Sequence, residues 1–491
     1  MKRLSKKQMW IFAIGQLGWS MLSGIITAWL VFFYLPSQET IDSGVKILVP
    51  SGLIIGGFLT ILGLITALCR LWDAVTDPMV ANLSDNCKSK KGRRIPFMKW
   101  SAIPFAVITV LVFFAPVSEP NGDFGLNIAW VAIFLVLFYT AMTVYCTPYN
   151  ALISEFGKTQ EDRMYISTAI SLTFFAGTLL AYTPFVFGGM LQPSFGYYWA
   201  YRICFIVLAV IALVAMLVPC FLLNETDFVE AKPSGTNAFA SLASTFQNKE
   251  FRVFTASDIM YWIGLTLFQT GLPFFVTVSM KLDSGLTMVF MGAMTVLSAA
   301  FYPFVTKLVK KFGKKKLVIA GFLGLALAYA VTAVSGLVEG AGMIFGVIIV
   351  LIASFPMALL GIIPQSIVAD VAEADSIRTG QKREGMFFAA RTFAMKLGQS
   401  IAMLAFTSLA ILGTTQDVTS NDITANKTGL MIVAIVAVCF CVLGALILAF
   451  YSEKKVMKAI AKEGDEDFLK VIENEKDLGE KEPEAIEKKE K

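Results

Sequence analysis

Long apolar runs separated by short polar breaks fill the chain from about residue 9 to residue 452. Each run is long enough to supply the roughly 20 residues that an α-helix needs to cross the hydrocarbon core of a bilayer. The runs predict spans at residues 9–35, 48–80, 97–117, 128–153, 164–188, 198–223, 253–280, 286–306, 317–337, 341–372, 386–413 and 427–452. The pattern therefore predicts an all-α membrane protein of about twelve transmembrane helices.

Composition agrees with lipid as the main solvent of the chain. Its 491 residues are 56% hydrophobic, with a mean hydropathy of +0.69, far above a soluble protein of this length. The first run lacks a convincing small-residue cleavage site, so we expect it to be kept as a span. The sequence has no histidine, which rules out an imidazole relay or metal site. No nucleotide-binding loop, metal-ligand set or nucleophile with a base is visible, so we do not expect an enzyme.

Basic residues cluster in two of the polar breaks. They follow the second and eighth spans, at Lys88, Lys90, Lys91, Arg93 and Arg94 and at Lys307, Lys310, Lys311, Lys314, Lys315 and Lys316. Loops rich in Lys and Arg stay on the cytoplasmic side of a membrane, so both loops and both termini are predicted to be cytoplasmic. Topology explains these charges better than nucleic-acid binding does, and it fits a multi-pass protein of the cell inner membrane.

The two basic loops hold the same place in successive sets of six spans, which predicts an internal duplication. We expect two pseudo-symmetric six-helix halves at residues 1–223 and 253–452, joined by a cytoplasmic linker at 224–252. Residues 453–491 are rich in Lys and Glu and are expected to form a cytoplasmic tail, helical near the membrane and disordered beyond. A monomer is expected.

Two carboxylates, Asp73 and Asp77, lie inside the second span, one turn beyond Arg70. A spacing of four residues puts them on one helix face, with Cβ atoms about 5–6 Å apart. Acids at membrane depth are rare and like charges at this range repel, so a cation, sodium or a proton, is expected between them for part of the time. The alternative is that Asp77 reaches the cytoplasmic interface and only caps the helix or pairs with Arg70 or with the basic loop that follows.

Two separated blocks carry a family resemblance. Residues 70–78, followed by Asp85 and the Lys-Gly-Arg-Arg-Ile-Pro run at 91–96, resemble the helix II signature of the glycoside-pentoside-hexuronide:cation symporters. The acid-rich end of the tenth span at 367–370, the basic-Glu-Gly turn at 380–385 and Lys396 in the eleventh span resemble the same family. The hydropathy pattern extends the resemblance over about residues 9–452.

The resemblance implies a major facilitator fold and a function. Such a protein is a secondary active transporter that couples sodium or protons to uptake of a glycoside or related sugar by alternating access, with no cofactor beyond the coupling ion. A non-sugar solute, such as an organic acid or a lipid-like molecule, is the alternative within transport. From a different class, a membrane sensor or scaffold would use the tail at 453–491 to bind a partner.

The resemblance also implies roles for particular residues. Asp73, Asp77 and Thr143 match positions of the family's cation site, while Lys396 and Arg70 are expected to act in coupling. Lys396 has an argument of its own, because an ammonium inside a span should face the bundle interior and needs a partner such as Asp73. The alternative is an interfacial lysine that snorkels to the membrane surface.

The solute side departs from the family pattern. The acids that the resemblance would assign to sugar hydroxyls are replaced by Ser20 and Cys146. Asn150 takes the place of a helix IV tryptophan, and Ser171 lies at or near the position of a helix V arginine. These replacements are what favours the non-sugar alternative.

Several further side chains are candidates for solute contacts. Their chemistry suits stacking on a sugar ring or hydrogen bonding to it, and the candidates are Trp19, Tyr145, Tyr149, Asp258, Trp262 and Gln365. For each of them, packing between helices is the competing interpretation.

Overall fold

A computed structural model describes residues 3–460, apart from residues 54, 56–58, 86, 88, 90–91, 121, 158–159, 229–244, 381–383 and 414–423. Most of the predicted linker and the tail beyond residue 460 therefore lie outside the described residues. The described part contains twelve long helices: α1 (Lys6–Tyr34), α2 (Ile61–Asp85), α3 (Ile95–Leu111), α4 (Gly125–Phe156), α5 (Gln160–Ala181), α6 (Tyr197–Leu222), α7 (Lys249–Phe274), α8 (Leu286–Phe312), α9 (Lys314–Ser335), α10 (Gly342–Thr379), α11 (Glu384–Leu409) and α12 (Lys427–Ala449). Shorter helical segments are Gln38–Asp42, Pro184–Phe195, Glu225–Asp227, Phe275–Ser279 and Glu453–Ile460, the last beginning the predicted tail.

Side chains at the helix starts fix several of these boundaries. The Ser5 hydroxyl accepts from the backbone N–H of Gln8, and the Gln8 side chain accepts in return from the backbone N–H of Ser5, which forms a capping box before α1. The Asn248 side chain likewise accepts from the Phe251 N–H at the start of α7. Such caps satisfy backbone donors that have no partner within the helix.

Each predicted span corresponds to one helix, but the start of the second span is wrong. The prediction was 48–80, whereas α2 begins at Ile61. Residues 48–53 are buried yet irregular, and the Asn127 side chain donates to the Leu48 carbonyl at 2.8 Å to hold them. Hydrophobicity alone does not distinguish a buried irregular segment from a helix, and side-chain hydrogen bonds replace the missing backbone pairs here.

The helices pack in two sets of six that repeat the same neighbours. In the first set α1 packs on α5 and α6, α4 packs on α2 and α3, and α3 also packs on α6. The second set repeats this order, with α7 on α11 and α12, α10 on α8 and α9, and α9 on α12. The expected pseudo-symmetric halves are therefore present.

A glutamate that follows the last helix of each half caps the third helix of the same half. The Glu225 carboxylate accepts from the backbone N–H groups of residues 93, 94 and 95 at the start of α3, at 2.8–2.9 Å. The Glu453 carboxylate accepts from the N–H groups of Lys314 and Lys315 at the start of α9, at 2.8 and 2.9 Å. A carboxylate is favourable there because the N-terminus of a helix carries partial positive charge. We call Glu225 and Glu453 the twin caps.

Nine helical stretches in the described part of the chain are long and apolar enough to cross a membrane, judged by length and composition. Among the twelve long helices, those outside this set are α3, which has 17 residues, and α2 and α11. Both α2 and α11 carry charged side chains inside the bundle. Intramembrane charge lowers the mean hydropathy of a helix and marks a functional region.

The two halves contact each other at the side of the bundle where α1 ends and α2 begins, which we call the closed side. The Thr60 and Thr407 hydroxyls lie 2.8 Å apart there, across the two halves. The rings of Phe32 and Phe274 pack edge to face with their centroids 5.3 Å apart. The opposite side, where α1 begins and α12 ends, is the terminal side. Contact between α2 and α11 continues from the closed side inward to the charged side chains.

Candidate functional site

Asp73 and Asp77 lie one above the other on α2, and each faces a threonine of α4. The Thr143 hydroxyl donates to Asp73 Oδ1 at 2.7 Å, and the Thr147 hydroxyl donates to Asp77 Oδ1 at 3.2 Å. Both pairs have the same spacing of one helical turn, so the two helices present matched rows of oxygen atoms. Asp73 is fully buried, whereas 27% of the Asp77 side chain is exposed. The site is therefore open at its Asp77 end.

Lys396 of α11 joins both carboxylates across the interface between the halves. Its Nζ lies 2.9 Å from Asp73 Oδ2 and 2.6 Å from Asp77 Oδ2. It also donates to the Asp73 backbone carbonyl at 3.3 Å. Only 7% of the lysine side chain is exposed, so it does not snorkel, and the expected contact with Asp73 is present.

Arg70 completes the charged cluster from the closed side. Its Nη1 lies 4.0 Å from Asp73 Oδ2, and its guanidinium stacks over the Tyr139 ring, 4.7 Å from the ring centroid. The cluster thus holds two carboxylates and two cationic side chains. Together they carry no net charge when all four are ionised, which makes burial of the cluster tolerable.

The geometry limits how an additional cation can bind. The Lys396 ammonium contacts one carboxylate oxygen of each aspartate, and the Thr143 and Thr147 hydroxyls hold the other oxygen of each. Within the described residues there is no group of three or more His, Cys, Asp or Glu side chains that could hold a metal ion. A sodium ion would therefore take its ligands from two carboxylates and neutral oxygens, and it would have to displace the lysine.

The structure places Cys146 and Asn150 on the same side of α4 as the two threonines. Residues 143, 146, 147 and 150 have the spacing of one helix face. Cys146 is partly buried between the threonines, and Asn150 is exposed one turn further towards the terminal side. Both remain compatible with a place beside the solute.

Ser20 and Tyr149 lie in helix packing and are hidden in this conformation. Ser20 faces Gly177 of α5, where an added Cβ would approach the Ser20 hydroxyl oxygen to 2.1 Å, so only glycine allows this close approach. Tyr149 stacks on Phe12, with centroids 4.4 Å apart, and donates to the Phe12 carbonyl. Tyr145 is equally buried and donates to the Met216 carbonyl. In this conformation Ser20, Tyr145 and Tyr149 pack between helices and do not face a solute site.

The remaining predicted solute residues are spread through the bundle. Trp19 lies near Phe174, and its indole nitrogen is buried without a hydrogen-bond partner among the described residues. Ser171 is exposed on α5 and donates to the Ser167 carbonyl, and Gln365 is exposed on α10. The structure does not bring these residues into one cluster with Asp73.

Asp258 contacts Trp262 and also Arg391, a residue that sequence reasoning missed. Arg391 of α11 forms a two-pronged pair with Asp258, at 2.9 Å from Nε to Oδ2 and 3.0 Å from Nη2 to Oδ1. The Trp262 indole N–H donates to Asp258 Oδ2 at 3.2 Å. Arg391 could have been found as a charge inside the eleventh span, and Thr147 as the partner one turn beyond Thr143.

Two like sets of six helices, with a buried carboxylate–lysine cluster where they meet, define a multi-pass membrane transporter of the major facilitator class. A family model described as MFS/sugar transport protein matches residues 11–454, and the chain belongs to this family. The resemblance drawn from residues 70–96 and 367–399 is thereby confirmed. The protein is a transporter and not an enzyme.

Individual relatives agree with this assignment. The putative glycoside/cation symporter YagG of Escherichia coli (strain K12) is 25% identical over 353 residues, which are 70% of this chain and 72% of that protein. The sodium-dependent lysophosphatidylcholine symporter 1 of Xenopus tropicalis is 37% identical over 97 residues, 19% of this chain and 17% of that protein. A crystal structure of a D-xylose-proton symporter superposes with a TM-score of 0.63 at 15% identity, over 90% of this chain and 96% of that one, and this likeness concerns the fold.

Proposed function

We propose that the chain is a symporter that couples entry of a cation, sodium or a proton, to uptake of a glycoside or related sugar. The observation that carries the proposal is the position of Lys396 between Asp73 and Asp77. The lysine belongs to the second half and the carboxylates to the first. Any cation that neutralises the carboxylates therefore also weakens an ionic contact between the halves.

The ionic contact between Lys396 and the two carboxylates provides a basis for alternating access. With Lys396 paired, the seam between α2 and α11 is held together from Thr60 and Thr407 inward to Asp77. A cation at Asp73 and Asp77 displaces the lysine, so the ionic contact between the halves differs between the loaded and the empty carrier. Binding of the cation and reorientation of the halves are then one coupled equilibrium.

Both sodium and a proton suit this mechanism. A proton needs one acceptor, and Asp77 is the more accessible carboxylate. Sodium, by analogy with other hard cations, requires several oxygen ligands, and Thr143 and Thr147 add two neutral oxygens to the carboxylates. Comparing uptake under an imposed sodium gradient and under an imposed pH gradient distinguishes the two ions.

The proposal includes an orientation and an assembly. We place the terminal side, with its basic loops and both chain ends, in the cytoplasm and the protein in the cell inner membrane as a monomer. No cofactor beyond the coupling ion and no nucleic acid is involved. Reporter fusions at Lys91, Asn121 and Lys314 test the orientation, and an extracellular signal at Lys91 or Lys314 would contradict it.

Uptake into proteoliposomes tests the function itself. The purified chain should accumulate at least one of methyl β-D-xyloside, methyl β-D-glucoside and the two methyl D-galactosides when a sodium or proton gradient is imposed. Asp73→Asn serves as the inactive comparison, and Glu339→Gln, an exposed position at 81%, serves as the matched active control. Failure of every glycoside under both gradients would reject glycoside symport.

A lipid-like solute is the second candidate, favoured by the local similarity to the lysophosphatidylcholine symporter. The loss of acids at Ser20 and Cys146 fits it too, because an amphipathic solute needs fewer partners for hydroxyl groups. Adding lysophosphatidylcholine to the uptake assay separates the candidates. Cation-dependent accumulation of lysophosphatidylcholine itself, without accumulation of any glycoside, is expected only when the solute is lipid-like.

A further inference from the structure

Arg391, Asp258 and Trp262 form a polar group inside the second half, which we call the Arg391 triad. Arg391 and Asp258 are paired through Nε and Nη2, and the indole N–H of Trp262 holds the same carboxylate. The two charged side chains differ in accessibility, because 12% of Arg391 is exposed and only 1% of Asp258. The acid is thus the buried anchor, and the guanidinium and indole are the surfaces that a ligand can reach.

The position of the triad in the bundle points to the space between the halves. α7 packs on α1 of the first half, and α11 packs on α2. In α7, 78% of the most apolar 18-residue stretch is buried, the same share as in α1, whereas the share is between 28% and 50% in the other seven helical stretches that are apolar enough to cross a membrane. Helix α7 is thus among the most enclosed of these helices, and Trp262 is a partly exposed side chain on it.

The chemistry of the triad suits one class of ligand. A guanidinium has five N–H donors in a rigid plane, and pairing through Nε and Nη2 leaves the Nη1 amino group on the opposite side. The pair with Asp258 carries no net charge, so it can donate hydrogen bonds to neutral oxygen atoms without favouring an anion. The fixed indole ring of Trp262 offers a flat apolar surface for the face of a sugar ring.

We propose that the Arg391 triad is the solute-recognition surface of the second half, and that it takes a neutral, oxygen-rich ring such as a glycoside. This proposal rests on the proposed glycoside transport. Arg391 supplies donors through Nη1, Trp262 stacks, and Asp258 positions both. Recognition by donors from α11 thereby replaces recognition by the acids that are absent at Ser20 and Cys146.

A neutral version of the pair tests the proposal without leaving a buried charge unpaired. The double variant Arg391→Gln with Asp258→Asn replaces the ion pair by two neutral amides that can hydrogen-bond to each other, so no buried charge is left unpaired and folding should be retained. Its apparent affinity for the methyl glycoside that the wild type takes up best should fall by about ten- to a hundredfold, as expected for loss of charge-assisted hydrogen bonds. Lys281→Gln, in the exposed pair with Glu339, is the matched control and should leave affinity unchanged.

A second measurement separates solute recognition from cation binding. The rise in melting temperature caused by sodium or by acid, measured without any glycoside, should be the same in the double variant and the wild type. Wild-type glycoside affinity in the double variant would overturn the proposal while leaving the proposed function standing. If the wild type accumulated none of the methyl glycosides, the proposed function and this inference would both fall.

Two single variants keep the test decisive should the double variant not fold. Arg391→Lys retains the positive charge for Asp258 but loses the planar fork, and Trp262→Phe retains the ring but loses the N–H bond that orients it. Both should weaken glycoside affinity severalfold and preserve the effect of the cation on melting temperature. Unchanged affinity in both variants would also reject the triad as a recognition surface.

Discussion

The ammonium group of Lys396 lies 2.6 Å from a carboxylate oxygen of Asp77 on the opposite half of the molecule. The two side chains are more than three hundred residues apart in sequence, and both are inside the bundle. Lys396 makes two ionic contacts. Because Asp77 is partly exposed while Asp73 is fully buried, the contact with Asp77 is the outer of the two. In this conformation a cation therefore exchanges between the site and the terminal side past Asp77.

Asp73→Asn and Asp77→Asn are both expected to abolish accumulation against a gradient, because each removes a charge on which cation binding depends. Asp77→Asn should keep the pair between Lys396 and Asp73, so the lysine is not released and exchange of solute without a gradient should be lost as well. Uptake and counterflow in proteoliposomes measure the two activities. Undiminished concentrative uptake by Asp73→Asn would overturn the cation site.

Lys396→Ala leaves two buried carboxylates facing each other without their shared partner. Breaking a buried ion pair by removing one member costs about 3–5 kcal/mol, so the melting temperature should fall unless sodium or protons replace the ammonium. We expect cation-dependent stability to be larger in this variant than in the wild type, and coupled uptake to be lost. Normal uptake with a normal response to cations would show that the lysine has no part in coupling.

Cys146→Asp would add a third carboxylate between Thr143 and Thr147. If sodium binding is limited by the number of oxygen ligands, the variant should gain or strengthen sodium dependence, by about tenfold in the concentration needed. Cys146→Asn is the matched control because it has a similar size and no charge. Identical sodium dependence in the two variants would mean that the site is not short of a carboxylate.

Gly63 allows α2 and α11 to close at the closed side. An added Cβ at Gly63 would lie 2.1 Å from the Thr407 hydroxyl oxygen, so Gly63→Ala should oppose closure and slow transport while leaving cation-dependent melting intact. Thr407→Ala removes the nearer of two obstructing oxygens, the other being the Thr60 hydroxyl at 2.8 Å, so the double variant should recover part of the transport. Labelling of Cys146 by a thiol reagent applied outside, in a variant without the other cysteines, should be faster in Gly63→Ala alone. Equal labelling in all three variants would contradict the assignment of this contact to closure.

The sequence was a good guide wherever one helix face decides the outcome. Long apolar runs located the long helices, and the requirement that a membrane charge find a partner correctly brought Lys396 to Asp73. The sequence did not predict partners that depend on packing between helices far apart in the chain. Arg391 is tied to Asp258 by the approach of α7 to α11, and Ser20 is hidden by the approach of α1 to α5. No local sequence pattern specifies how closely these pairs of helices approach each other.

The twin caps have a consequence for the evolutionary origin of the chain and for splitting it into two fragments. Glu225 and Glu453 each finish a half by returning to that half's own third helix, so neither half depends on the other to complete its ends. A polypeptide cut between residues 229 and 244 would leave one cap on each fragment. Two genes, each encoding one fragment, should therefore yield products that assemble into a working carrier, as a fusion of two once-separate proteins would predict.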